Sequence, residues 1–261
     1  MLEVTHIRKI YHTGTRKFEA LRDVDFTVQA GEFACLVGPS GSGKTTLLKC
    51  ISGLLSTTSG EVRVSGVPVN GPPEGLALVF QEYGRSLFPW MRVAQNIELP
   101  LKEQRIPAAE RKRRVAEALE QVGLANNANS YPWELSGGMQ QRVAIARAIA
   151  YRPDVLLMDE PFAAVDAQTR AELEDLVRRL WRELNITTIF VTHDIDEAVY
   201  LAQRVIVLSS CPTVVQRNMV IDLPDERSQL ETRGLPRFGE LRTELYAEIQ
   251  RAKTNTGDAA A

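Results

Sequence analysis

FACLVGPSGSGKTTLLKC, residues 33–50, runs from an apolar segment through a glycine-rich turn into a helical pattern. The turn Gly38–Thr45 fits G-x-x-x-x-G-K-[ST], in the strand-then-helix context that this pattern needs. Its glycines let backbone N–H groups curl inward around phosphate oxygens, and the helix that follows adds partial positive charge. Lys44 is of a length to reach β- and γ-phosphates, and the Thr45 hydroxyl suits Mg²⁺. A plain glycine-rich turn would not require the Lys-Thr pair. The expected phosphate cradle is therefore Gly38, Pro39, Ser40, Gly41, Ser42, Gly43, Lys44, Thr45 and Thr46.

Outward from the cradle the chain alternates. Residues 2–37 are rich in β-branched and aromatic residues, with Gly31 as a break. GEVRVSG alternates as a short strand, and GLALVFQ (75–81) is so continuously apolar that it is expected to be buried on both faces. From about Val93 to Val122 the pattern is helical, and its basic run Arg111–Arg114 is interleaved with Glu110, Glu117 and Glu120, which favours a solvated helix face over a nucleic-acid patch. Beyond it DVLLMDE, AQTRAELEDLVRRLWREL, TTIFVTH, DIDEAVYLA and RVIVLSS alternate strand with helix, the signature of a parallel sheet with crossover helices. A weaker strand-then-helix tail follows, and TNTGDAAA at the end is expected to fray.

The whole chain, 261 residues with 44% hydrophobic and 25% charged, has a globular composition, large enough for one big domain or a domain carrying an inserted lobe. A net charge of −2 gives no basic field for DNA or RNA. Nothing approaches the ~20 apolar residues of a membrane span, so a membrane role would be peripheral, through a partner. No charged-then-apolar leader opens the chain, and export is not expected. Cys35, Cys50 and Cys211 are odd in number and lack metal spacing; they read as buried free thiols in a reducing compartment.

Other chemistry gathers at strand ends. VLLMDEP (155–161) ends a buried strand on two carboxylates, an expensive placement unless they are used. Asp159 suits the Mg²⁺ shell and Glu160 can polarise a water; a capping pair would explain one acid better than both. His193 ends TTIFVT, where open α/β sheets bind ligands, and reads as a phosphate-facing donor. Gln81 ends LALVF in the same manner, a neutral amide able to sense Mg²⁺ or water. Finally, ELSGGMQQRVAIARAIA (134–150) starts a helix on Ser136-Gly137-Gly138. Ser136 is a good N-cap, but two glycines inside a helix each cost about 1 kcal/mol against Ala; bare amides at a positive helix end make a second anion site.

GPSGSGKTT, Gln81, LSGGM, VLLMDE, AAVD and His193, in this order, resemble the ATP-binding subunit of ABC transporters over nearly the whole chain. The resemblance implies an α/β P-loop NTPase of the ABC ATPase type: a mostly parallel core sheet, an N-terminal antiparallel β subdomain and an inserted helical lobe. It places the nucleotide-binding domain at 1–234, the lobe at about 88–150 and a C-terminal helical tail at 235–261. Tyr11 matches the aromatic that stacks on adenine, with a core aromatic as the plainer alternative. VFQEYGRSLFPWMRVAQNIELPL (79–101), FAAVDAQTR and TRGLPRFGELRTELYAEI resemble the nitrate/sulfonate/taurine importer branch.

The family's way of working then implies ATP and Mg²⁺ as cofactors and a homodimer in which one subunit's Lys44, Thr45, Gln81, Asp159, Glu160 and His193 meet the other's Ser136, Gly137 and Gly138. Asp166 would lie at the dimer seam. Two permease subunits and a periplasmic or lipoprotein substrate-binding protein would complete the complex at the cytoplasmic face of the inner membrane, with no nucleic acid. Phe88, Trp90 and Met91 within GRSLFPWM (84–91) would either pack inside the lobe or form a groove for a permease helix. Met139 and Ala163 depart from the commoner LSGGQ and Ser-Ala-Leu-Asp, as this branch tolerates. SSCPTVVQRN (209–218) replaces an Arg-Pro-Gly-Arg-type turn and is expected to stand apart from ATP chemistry. An efflux or lipid-handling transporter is the alternative. ABC ATPases of DNA repair carry coiled-coil heptads missing here, a GTPase would need Asn-Lys-x-Asp, and a non-catalytic nucleotide binder would not need Glu160 and His193.

Overall fold

Strands of two habits share one sheet. In the computed structural model, which describes residues 1–14, 16–81 and 86–254, β1 (Leu2–Thr13) and β2 (Arg16–Val28) pair antiparallel, and β4 (Ser59–Val64) and β5 (Val67–Pro68) extend that hairpin. The second group is parallel: β3 (Phe33–Val37), β6 (Leu76–Val79), β7 (Val155–Asp159), β8 (Thr187–Val191) and β9 (Arg204–Leu208). β10 (Thr213–Val220) joins them, antiparallel to β9 and parallel to β2. The order is β5-β4-β1-β2-β10-β9-β3-β8-β7-β6.

β3, β7 and β8 are buried along their whole length, as continuous apolar runs in a parallel sheet require. The expectation for GLALVFQ fails. Only Leu76–Val79 is strand, it pairs with β7 alone, and Leu76, Ala77 and Leu78 are half-exposed, because this strand is the sheet's edge.

Helix α1 (Lys44–Ile51) leaves the glycine-rich turn and packs beneath the sheet. The lobe is built from α2 (Val93–Glu103), α3 (Ala108–Gln121) and α4 (Gly137–Ala150), which pack on one another; the helical pattern from 93 to 122 is broken at Arg105, with φ 55°. On α3 the three arginines of the basic run are paired: Arg111 with Glu98 at 2.9 Å, and Arg113 and Arg114 with Glu110 at 2.8 Å each. Helices α5 (Ala167–Leu184) and α6 (Ile195–Leu201) cross over between parallel strands. After α7 (Gln229–Arg233), helix α8 (Pro236–Thr254) returns to the body and buries Phe238, Leu241, Leu245 and Ala252 in the main core. Cys35 and Cys50 are buried free thiols and Cys211 is a half-buried one. Among the described residues no helix is long and apolar enough to cross a membrane. Residues 255–261, expected to fray, and Gly84 and Arg85 of the aromatic stretch lie outside the described residues.

Candidate active site

The end of the glycine-rich turn is tightly packed between two neighbours. Gly43 caps α1 with φ 79°, and a Cβ there would lie 3.1 Å from Leu21 Cδ2 and 3.2 Å from Thr213 Oγ1. Lys44 folds back across the turn, its Nζ donating to the carbonyls of Gly38 and Pro39 at 3.0 Å each. Burial lowers its pKa, while Glu160 and Asp159 pull it back up. Ser42 Oγ is buried without a hydrogen-bond partner. A cavity of about 610 Å³ opens above the turn, walled by Ser40–Thr46, Glu160 and His193.

β3, β8 and β7 are adjacent, with Leu36 and Asp159 both in register with Val191, so the turn, His193 and the acid pair emerge side by side. Asp159 is buried and hydrogen-bonded to Thr45; burial raises its pKa, the Thr45 hydroxyl opposes that rise, and Glu160 adds to it. Glu160 adopts φ 43°, a left-handed backbone that a non-glycine residue holds at a cost of about 1 kcal/mol. That turn parts the two carboxylates. Asp159 stays with Lys44 and Thr45, while Glu160 Oε2 lies 3.0 Å from His193 Nδ1 and 3.4 Å from Gln81 Nε2. Lys44, Thr45, Asp159, Glu160, His193 and Gln81 are thus brought together from four segments.

Ser136, Gly137 and Gly138 are not part of that cavity. Ser136 caps α4 by accepting from Met139 N at 3.3 Å, and Ser136 and Gly137 are exposed. Asp166 caps α5 through Gln168 N and Thr169 N and is likewise exposed.

Several residues around the cavity and the 88–92 loop were not picked out from the sequence. Phe18, 58% exposed, lines the cavity, whereas Tyr11, its cross-strand partner, meets it only through its hydroxyl, 3.4 Å from Thr46 Oγ1. The turn at 209–218 does touch the site, against expectation: Cys211 lines the cavity and Thr213 Oγ1 donates to the Ser42 carbonyl. The reason is β10, which lies between β9 and β2 and brings its first residues under the glycine-rich turn. Asn96, fully buried, holds the 88–92 loop by four hydrogen bonds, accepting from Phe88 N and donating to the carbonyls of Phe88, Met91 and Arg92. The loop presents Trp90 to solvent at 69% exposure, its ring 5.4 Å from that of Phe88. Asn96 could have been suspected as a polar residue on the apolar face of α2.

Residues 21–163 match the profile of the ABC transporter family. The chain is 43% identical to a nitrate import ATP-binding protein, NrtD of Synechocystis sp., over 100% of its own length and 99% of the relative's. It is 45% identical to an aliphatic sulfonates import ATP-binding protein, SsuB of Bacillus licheniformis, over 94% of its length and 93% of the relative's. A dimeric ATP-binding cassette solved in a post-hydrolysis state with ADP and Pi superposes at a TM-score of 0.75, with 35% identity, covering 85% of this chain and 99% of that one.

Proposed function

The chain belongs to the ABC transporter family and is an ATPase of that family, and from this premise we propose that it powers an importer of small anions or related organic compounds as a homodimer docked on two permease subunits. A substrate-binding protein would deliver the solute, and the chain would sit peripherally on the cytoplasmic face of the membrane. The anion reading leans on the nitrate and sulfonate import relatives.

The observation that carries the dimer is the division of the phosphate-binding groups. One cavity holds the cradle and Glu160, while Ser136 and Gly137, with half-buried Gly138 behind them, stand exposed at the positive end of a 14-residue helix. A chain with a complete cradle needs no second one for its own nucleotide. It serves a neighbour's.

In that pairing Lys44 and the cradle amides hold the β- and γ-phosphates. Phe18 and Tyr11 flank the base. Glu160, aligned by His193 and Gln81, accepts a hydrogen bond from the attacking water, whose oxygen bonds to the γ-phosphorus as the bridging oxygen leaves with ADP. The site fits Mg²⁺: Thr45 and Asp159 offer one hydroxyl and one carboxylate, the sparse oxygen set that this ion takes beside substrate phosphates, and the described residues hold no cluster of three or more His, Cys, Asp or Glu. Bound there, Mg²⁺ would neutralise phosphate charge. Catalysis by the chain is otherwise positioning and charge balance.

Ser136→Arg tests the composite site. The variant is expected to bind ATP as wild type does and to lose hydrolysis. Mixed with Lys44→Ala, it should regain partial turnover, because one of the two sites is then intact. Wild-type hydrolysis by Ser136→Arg alone would rule out a site completed by the partner.

A further inference from the structure

Gly138 does more than bare an amide. A Cβ at this position would lie 2.4 Å from Thr169 Cγ2, a distance real side chains do not reach. The Thr169 methyl cannot swing away, because its hydroxyl is bonded to Asp166 Oδ2 at 2.7 Å and its N–H to Asp166 Oδ1 at 3.0 Å. The start of α4 therefore rests directly on the first turn of α5. The next residue of that turn, Arg170, reaches the other way: Nη1 lies 3.1 Å from Asp194 Oδ2 and Nε 3.5 Å from Glu197 Oε1. Asp194 caps α6, and Glu197 Oε2 accepts from Thr192 Oγ1 at 2.5 Å. Asp194 directly follows His193 and Glu197 holds Thr192, which directly precedes it, and His193 holds Glu160.

Resting on the reading that Ser136–Gly138 serves a partner's nucleotide, we propose that Thr169 and Arg170 are positioning residues that tie this exposed ledge to the chain's own His193–Glu160 pair. A shift of the ledge on meeting the neighbour's phosphate moves the first turn of α5, and Arg170 passes the movement to the loop that aims the catalytic carboxylate. Each chain thereby couples the site it completes in its partner to the site it owns.

The test is a double-mutant cycle in the full chain. Gly138→Ala drives a methyl into Thr169 and is expected to cut turnover about tenfold or more. Thr169→Ser removes Cγ2 yet keeps the hydroxyl for Asp166. In Thr169→Ser/Gly138→Ala, turnover returns to roughly a third or more of that of Thr169→Ser alone, since the two residues are coupled by contact. The chain has three histidines, His6, His12 and His193, so imidazole NMR of the nucleotide-free protein reads the far end directly. The His193 signal shifts in Gly138→Ala, returns in the double variant and leaves His6 and His12 unmoved. Arg170→Gln shifts it too, and Arg170→Lys shifts it less; this pair serves where Gly138→Ala folds poorly. Failure of Thr169→Ser to rescue, or a His193 signal indifferent to both Gly138→Ala and Arg170→Gln, overturns the proposal. The NMR needs no nucleotide and no partner, so this outcome is separate from wild-type hydrolysis by Ser136→Arg, which would overturn the composite site.

Discussion

Glu160→Gln separates the shape of the carboxylate proposed to be catalytic from its charge. The amide oxygen of Gln can still accept from His193 Nδ1, now at 3.0 Å from Glu160 Oε2, and the longer contact to Gln81, at 3.4 Å, is easily kept. The left-handed backbone at φ 43° is as available to Gln as to Glu. What disappears is the basic group beside the attacking water. Loss of such a group lowers the rate by roughly 10²- to 10⁴-fold, or about 3–5 kcal/mol of barrier. Binding moves in the opposite direction. Lys44 faces two carboxylates, Glu160 and Asp159, and the variant removes one negative charge from a site built for phosphate. A unit charge at about 6 Å in a partly buried site is worth roughly 3 kcal/mol before screening, so ATP should bind as tightly as in wild type or more so. Steady-state phosphate release, equilibrium ATP binding and light scattering with ATP present measure the three quantities: collapsed turnover, retained affinity and an accumulated dimer. Turnover within about threefold of wild type would refute the role given to Glu160.

Trp90→Ala should abolish solute uptake by the assembled transporter while ATPase activity of the isolated chain persists, because Asn96 keeps the loop and Trp90 contributes little to the core; normal uptake in vesicles would remove this ring from the permease contact. Phe18→Ala should raise the KM for ATP more than it lowers kcat, since it lines the cavity without touching the acids; an unchanged KM would leave the base to Tyr11 alone. Glu197 is buried among Thr192, Asp194, Glu174 and Arg170, and burial lifts its pKa from 4.5 to about 7. The folded chain then holds a proton that the unfolded chain releases, so this residue's contribution to stability is full below pH 4.5, falls as pH rises to 7 and stays low above it. Glu197→Gln should therefore match wild type near pH 4 and exceed it at pH 8 by roughly 3 kcal/mol, read as the difference in urea midpoints; an equal difference at both pH values would contradict the assignment.

Sequence by itself determined the chemistry that is local in the chain. The turn Gly38–Thr46 is local in the chain, its amides and Lys44 are neighbours, and the strand before it and helix after it were expected from the sequence and are present. The acid pair and His193 were legible for a related reason: each ends a continuous apolar run, and parallel strands present their ends on one side. Tertiary structure decided what touches what across the sheet and between helices. β6 read as doubly buried, but no periodicity reveals that a strand is an edge. The 209–218 turn read as remote from the nucleotide, yet the order β2-β10-β9-β3 sets Cys211 and Thr213 against the cradle. Phe18 entered the site through its pairing with Tyr11, a register that only the folded hairpin fixes. Gly137-Gly138 announced an anion ledge through its local cost, but the contact of Gly138 with Thr169 depends on how α4 crosses α5. Backbone and motif chemistry is written in adjacent residues, whereas close approach between segments is set by the packing of the whole chain.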